Sequence, residues 1–565
     1  MSSRATTIWT ITGVTVLGGI IAYAIYFDHK RRNDVEFRKK LKKEKKKANK
    51  SAAKQTEANT ISTDELRAAL SKIQQEDLPA GPEEREQYFM TQVGMGEQLA
   101  AQGPAFQLPA ALSFYRALRV YPSPVELVMI YQKTVPPSIF KIIMDLTNMD
   151  VKNRVEGYYN VFPPKSMNVS VQDSEVPGNA TKKKVLVAEK DFAAGDVIYK
   201  EEPIVAALDF DLLGKGTHCS RCFREIQKDM AIKPEFDRFD SVYCSKECQV
   251  KAKAQSDNLL FGLDPVLPPE LDGGVSELTK AERNKTQTAF VDYLQSKGKT
   301  GPLLVSRFVA RQVAIETTKL LPKTAGPASV ELPKLTDGND DYGLYDHMER
   351  LRFIDVPVEP EETKLLCDVL AAALPGLEKS LTDERNAVYR GKMAYNAYGV
   401  CFGGGRDDRP IMSDRPEDQE RTRTPYGTSR QIGSGLYFVS SYISHSCSPN
   451  SRPSFSSGTS ELQLIASRPI KKGEELTVAY VDVNQHEGET AEEARRRRRY
   501  ELARGWRFKC ECERCVSEQK TDGNESDVEV QKDESKVEGS VERLEKGEYP
   551  TPPQASSANT GDVDD

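Results

Sequence analysis

The sequence predicts a multidomain chain: a single N-terminal transmembrane helix, a small all-α unit, then a β-rich unit with helical insertions and clustered cysteines. Three observations lead there. Ile8 to Phe27 runs for twenty residues without a charge, about the ~20 residues a helix needs to cross a hydrocarbon core. Residues 63–121 carry helical periodicity. From Val185 onward β-branched residues alternate as in strands, with seven of the ten cysteines in short pairs or triplets among them.

At 565 residues the chain is too long for one ordinary core. Charged residues at 29% and hydrophobic ones at 38% fit a largely water-facing protein with polar linkers. The net charge of -6 hides an asymmetry, with twelve Lys or Arg between positions 28 and 50 and an acidic end after Cys515. Neither figure points to nucleic acid. Ten cysteines are too sparse for a disulfide scaffold, and their spacing suits zinc in a reducing compartment.

For the span over residues 8–27, Trp9, Tyr23 and Tyr26 suit the two membrane interfaces, and the basic linker over 28–62 belongs on the cytosolic side. A cleaved signal peptide is the competing reading, since Ala22-Tyr23-Ala24 has the small-x-small form of a cleavage site. Against it, Arg4 is the lone charge before the span, and the downstream cysteines suit the cytosol.

Helices are expected over Thr63 to Gln75, 84–102 and 109–121, the last two separated by Gly103-Pro104. Ala110, Phe114, Ala117 and Pro122 keep the spacing of a tetratricopeptide helix, although one unit makes no solenoid. Residues 151–182, with Pro163-Pro164, Ser and Asn, read as a linker. Strands are expected at Val185-Leu186-Val187, Val197-Ile198-Tyr199 and Ile204-Val205, followed by mixed helices over 280–395. Residues 403–430 read as a disordered insertion and 518–565 as a disordered acidic tail.

The segments Ala24 to Arg32, Phe37 to Lys40, Tyr88-Phe89-Met90, Gly96-Glu97-Gln98-Leu99 and Thr134 to Phe140 resemble the fungal twenty-kilodalton import receptors of the mitochondrial outer membrane, the Tom receptor family. The resemblance covers residues 1–160 and assigns 63–150 to the receptor domain. It implies a single-pass outer-membrane protein facing the cytosol, with mitochondrial presequences and other translocase subunits as partners. Carried onto this chain, the presequence groove would be walled by Phe89, Met90, Val93, Ile130 and Tyr131. An amphipathic helix buries its i, i+3, i+4 face in such a trough. Each of these positions reads equally well as plain core.

Cys219-x2-Cys222 followed by Cys244-x3-Cys248 supplies four thiolates for one tetrahedral zinc. The phrase Val242 to Cys248 resembles a MYND finger with the ligands of its second zinc missing. Ser444-His445-Ser446-Cys447-Ser448-Pro449-Asn450, then Glu475-Leu476-Thr477-Val478-Ala479-Tyr480, then Cys510-Glu511-Cys512-Glu513-Arg514-Cys515 resemble the C-terminal half of a SMYD-like SET-domain methyltransferase. That resemblance assigns 183–517 to a SET domain with the MYND-like insert at 219–248 and the knuckle at 510–515. It implies S-adenosylmethionine as cofactor, a protein lysine of unknown identity as substrate, and Tyr480 as catalytic residue. Ser444, His445, Asn450 and an aromatic, Phe508 or Trp506, would lie on the cofactor side. Cys447 would complete a second zinc with Cys510, Cys512 and Cys515, giving two structural ions.

Two departures bear on activity. The family's Asn before His is Ser444, and its N-terminal glycine phrase is Lys183-Lys184-Val185-Leu186, which removes backbone room near the cofactor. The sequence therefore leaves three readings open: a receptor with an active methyltransferase, a receptor whose SET domain only binds proteins, or two genes joined near 160–180.

Overall fold

A computed structural model describes residues 62–518 apart from 80–81, 122–123, 176–181, 228, 268–276, 319–333, 338–341 and 411–418. The expected anchor, most of the basic linker and nearly all of the acidic tail lie outside these residues. Among the described residues, no helix is long and apolar enough to cross a membrane.

Five helices open the described chain: α1 (Thr63–Gln74), α2 (Pro82–Ala101), α3 (Gln107–Val120), α4 (Pro124–Thr134) and α5 (Pro137–Val161). Ser62 caps α1, its side chain accepting from the Asp64 amide. Leu66, Leu70 and Ile73 of α1 join Ala110, Phe114 and Leu118 of α3 and Ile139, Ile143 and Leu146 of α5 in one core. Gly96 lets α2 close onto α3, because a Cβ there would stand only 3.0 Å from the Phe114 ring. This is the physical reason for a glycine inside that helix.

The expected linker over 151–182 is not one. Helix α5 runs straight on to Val161, then a short 3-10 turn leads into β1 (Val169–Glu175), which pairs antiparallel with β2 (Lys182–Ala188). Residues Val151 to Glu156 are exposed all round, which is why they look like linker in the sequence. Beyond them Tyr158 and Phe162 are buried in a second and larger core. One helix of 25 residues, about 38 Å long at ~1.5 Å per residue, thus serves both cores.

The second core is built from small sheets. Strands β3 (Val197–Glu201), β9 (Leu462–Ala466) and β8 (Ser451–Ser454) form one, in the order β3-β9-β8. Strands β4 (Val205–Leu208), β6 (Gly433–Leu436) and β5 (Tyr398–Val400) form another, in the order β4-β6-β5. The short β7 (Ser444–His445) and β10 (Thr477–Val478) pair in parallel, Ser444 opposite Thr477 and His445 opposite Val478. Helices pack around these sheets: α6 (Lys246–Ala252) after the first cysteine group, then α7 (Glu277–Lys297), α8 (Thr300–Thr318), α9 (Leu344–Glu349), α10 (Pro360–Ala373) and α11 (Asp383–Asn396). The capped helix α12 (Ala491–Trp506) and the short α13 (Glu513–Ser517) close the C-terminal side.

The expected disordered insertion over 403–430 is also corrected. Residues 411–418 lie outside the described part, but Thr422, Arg423 and Thr424 are buried, with Arg423 fully enclosed. Arg406 grips Asp211 with two guanidinium bonds of 2.7 and 2.6 Å. The segment is polar because it supplies buried polar contacts.

Candidate functional site

The parallel pairing of β7 with β10 passes one chain segment beside another and sets Tyr480 against His445. The Tyr480 amide donates to His445 Nδ1 at 3.0 Å. His445 Nδ1 is therefore the acceptor, its proton sits on Nε2, and Nε2 lies 3.3 Å from Cys447 Sγ. Burial, with Lys183, Arg498 and Arg423 on the same side of the balance, pushes His445 down to about 3, so the ring is neutral. The Tyr480 hydroxyl donates to the Ile443 carbonyl at 2.5 Å. Burial raises the pKa of that hydroxyl well above the ordinary phenol range, which excludes it as a strong base near neutral pH.

An aromatic wall surrounds this pair. The Tyr480 ring centre is 5.4 Å from Trp506 and 6.2 Å from Phe508, and His445 is 6.0 Å from Phe508. Trp506 Nε1 donates to the Tyr395 carbonyl at 3.0 Å, which fixes the end of α12 over the site. Ser444 is buried and its Oγ has no hydrogen-bond partner.

Asn450, expected on the cofactor side, is held by protein partners. Its Oδ1 accepts from the Thr477 amide at 2.8 Å, and its Nδ2 donates to Glu474 and to the Glu475 carbonyl. The amide is committed at both ends to fastening the loop to β10, so the Asn450 side chain positions the crossing.

Sequence reasoning missed Arg423, which lies in the segment expected to be disordered. Its guanidinium sits 4.3 Å from the Tyr480 ring centre and 5.3 Å from that of Tyr395. Its nitrogens donate to the carbonyls of Tyr395, Ser440 and Ser441 and to Asn396 Oδ1. Burial opposes ionisation of Tyr395, yet Arg352, Arg423 and Lys183 together hold its hydroxyl below the usual phenol value. Lys183, partly buried at the start of β2, is itself lowered to about 8 by desolvation. No sequence spacing joins Arg423 and Arg352 to Tyr480, so no motif could have revealed those two.

Both cysteine groups come together as expected. In each of the sets Cys219, Cys222, Cys244, Cys248 and Cys447, Cys510, Cys512, Cys515, the sulfurs all lie within 4.8 Å of one another. Zinc–sulfur bonds of ~2.3 Å place the corners of a tetrahedron about 3.8 Å apart. Cys222 to Cys244 is 3.6 Å, Cys244 to Cys248 3.7 Å, Cys447 to Cys510 3.9 Å and Cys447 to Cys515 3.5 Å. Both donor sets fit one zinc each. In the second, the His445 Nε2 proton points at the Cys447 sulfur, so the cysteine corner and the Tyr480 corner share one imidazole.

At the other end of the chain the expected groove residues divide. Met90 and Ile130 are exposed, 64% and 47%, with Phe89 and Val93 half-buried beneath them. Tyr131 is corrected: it is 2% exposed and packs edge-on to Phe114 at 5.0 Å, so it is core and not groove wall. Met95 on α2, Met129 on α4 and Phe106 in the turn between α2 and α3 are further exposed apolar residues.

The family described as the MAS20 protein import receptor matches residues 10–160, and the SET domain family matches 183–481. The mitochondrial import receptor subunit tom20 of Neurospora crassa is 36% identical over 160 residues, covering 28% of this chain and 88% of that protein. The chain belongs to both families.

The histone-lysine N-methyltransferase SET5 of Saccharomyces cerevisiae is 27% identical over 347 residues, 60% of this chain and 59% of SET5. The protein-lysine N-trimethyltransferase SMYD5 of Gallus gallus is 33% identical over 110 residues, 19% of this chain and 25% of SMYD5. The chain thus spans about three fifths of the SET5 relative and a quarter of SMYD5. The MAS20 match ends at residue 160, within the last turn of α5 and after Tyr158 has entered the SET-side core. Tyr158 places its hydroxyl 2.6 Å from His347 Nδ1 and stacks on Phe162 at 5.0 Å, with the Arg350 guanidinium 4.0 Å from its ring centre. Arg154 adds a 2.7 Å ion pair to Asp346. The receptor's last helix is therefore built into the SET half.

Proposed function

We propose that this protein is a presequence import receptor of the mitochondrial outer membrane whose SET half transfers methyl groups from S-adenosylmethionine to a protein lysine. Anchoring through residues 8–27, with the bulk of the chain in the cytosol, completes this reading. The observation that carries the enzymatic part is the shared His445, which ties the Tyr480 strand to the Cys447 corner of a complete four-thiolate set. A domain retained only as scaffold has no need of a tyrosine held this way.

Two features suit the methyl donor: the orphaned buried hydroxyl of Ser444, and the aromatic wall of Tyr480, Trp506 and Phe508, whose faces attract a cationic sulfonium. When bound, S-adenosylmethionine supplies an electrophilic methyl group. The chain's own residues position. Free lysine, with a pKa near ~10.4, is protonated at neutral pH, and enclosure favours the neutral amine that can attack. The Tyr480 hydroxyl and the Ile443 carbonyl, fixed to one another, orient that amine. Arg423, stacked on Tyr480, holds the ring in place and adds positive charge that further disfavours an ammonium.

In the receptor half, Met90 and Val93 on α2 and Ile130 on α4 supply the apolar surface for an amphipathic presequence helix. The shared helix α5 supports a single folded protein over two genes joined in error, since a cut near residue 160 would divide an element both cores use. The test is transfer of labelled methyl from S-adenosylmethionine to a mitochondrial-surface protein extract by the full chain, with Tyr480→Phe beside it. Label incorporated by the wild type and lost in the variant supports the reading. No label in either leaves the SET half a binding module, and equal label in both takes the chemistry away from Tyr480.

A further inference from the structure

Away from both sites, a cleft of about 50 Å³ opens between the first cysteine group, β4 and α8. Its lining includes Arg221, Arg307 and Arg311, with the carboxylates of Glu202 and Asp257. Arg221 stands between the ligands Cys219 and Cys222, and Arg307 and Arg311 lie one turn apart on α8. The cleft is thus the seam between the zinc finger and the SET body.

The charges in it do not balance. Arg307 is served by Asp257, whose Oδ1 is 3.7 Å from its Nε, while Asp257 also accepts from the Tyr243 hydroxyl at 2.7 Å. Arg221 reaches Glu202 only at 3.9 Å, and Glu202 is 63% exposed at the rim. Arg311 has no carboxylate within 4.0 Å among the described residues, although it is only 5% exposed. Among the described residues its one hydrogen bond runs from Nη1 to the Ile204 carbonyl. The Nε atoms of all three arginines are buried without a hydrogen-bond partner. Desolvation, with Arg221 next and Glu202 opposing from the rim, lowers Arg311 to about 10.

A buried cation is tolerated where an anion meets it with good geometry. The guanidinium fork matches tetrahedral and carboxylate oxyanions with paired hydrogen bonds. One water needs ~10–15 Å³ of such space, so about 50 Å³ leaves room for a small oxyanion. We infer that this seam is a binding site for a single phosphate-class oxyanion, held by Arg311 from the SET body and Arg221 from the finger. The bound anion would latch the finger to the body. A filled zinc site, four thiolates around a divalent ion, is itself negative and lies beside Arg221. Arg311, away from the cysteines in sequence, is therefore the residue whose charge the anion chiefly answers.

The test uses the full zinc-loaded chain titrated with inorganic phosphate by calorimetry at constant ionic strength, with chloride and acetate as comparison arms. Phosphate is expected to bind and acetate to bind more weakly, with chloride at equal strength giving no saturable heat. Arg311→Met should weaken phosphate at least tenfold. Because that variant could fail to fold, Arg221→Gln at the more accessible edge gives a second reading and should weaken it severalfold. Zinc content and melting temperature without phosphate confirm the state of each variant. No phosphate binding by the wild type, or equal binding by wild type and Arg221→Gln, would overturn the inference.

Discussion

Replacing Tyr158 tests whether α5 is part of the SET half or merely leads to it. The residue is fully buried, its hydroxyl 2.6 Å from His347 Nδ1, and His347 is itself only 2% exposed. Tyr158→Phe keeps the ring and leaves His347 Nδ1 buried without its partner, a cost of about 1–3 kcal/mol. Tyr158→Ala also removes the stacking on Phe162 and the cover over Arg350, raising the cost to about 3–5 kcal/mol. Val155→Ser, on the exposed stretch three residues earlier, should stay within about 0.5 kcal/mol. The assay is urea unfolding followed by the fluorescence of Trp506, which is 1% exposed inside the SET half. Trp9→Phe in the background leaves Trp506 as the single reporter among the two tryptophans. A graded fall from Val155→Ser through Tyr158→Phe to Tyr158→Ala is expected. If Tyr158→Ala unfolds at the wild-type urea concentration, residues 151–161 are a tether and the shared-helix account is wrong.

Glu201 gives a pH signature: burial raises its carboxyl from 4.5 to about 7. The folded state then keeps a proton that the unfolded chain loses, so this group's contribution falls as pH rises from about 4.5 to 7 and is flat above. The total is of order 3 kcal/mol at ~1.4 kcal/mol per pKa unit. The difference in stability between wild type and Glu201→Gln should carry that slope; a pH-independent difference contradicts it. Zinc analysis should return two ions per chain, one for each cysteine set, and chelation should open the SET half to protease. Zero or three ions contradicts the assignment. A presequence peptide should bind at roughly micromolar affinity or poorer, with Met90→Glu abolishing binding in a folded protein and Tyr131→Ala unfolding the receptor helices instead. Unfolding by Met90→Glu would return that residue to the core.

How much was legible follows from what each residue needs. The cysteines could be read because chelation imposes short spacings, and Tyr480 because its strand keeps a recognisable phrase. The first three receptor helices were legible within a residue or two from period and from the Gly103-Pro104 break, whereas α4 was not assigned. Helix α5 was not, because Val151 to Glu156 face water throughout and Pro163-Pro164 follows, so a bridging helix carries the composition of a linker. Arg423 was missed for the converse reason. A run of Arg, Thr and Gly looks solvated, yet its guanidinium is buried against backbone carbonyls and rings, partners that leave no trace in local sequence. For Asn450 the motif marked a residue as needed, and the structure adds that its side-chain amide fastens the loop to β10.

The account rests most on the SET half accepting its methyl donor despite Ser444 and Lys183. Calorimetric titration of S-adenosylmethionine into the full zinc-loaded chain tests this directly. Saturable binding with one site per chain, in the micromolar range at about -8 kcal/mol, is the predicted result. Tyr480→Phe should leave that affinity nearly unchanged while methyl transfer falls by about a hundredfold or more, because the hydroxyl acts on the transition state. No saturable heat at high micromolar donor, in protein shown to carry both zinc ions, would contradict the account and leave Tyr480 a packed aromatic.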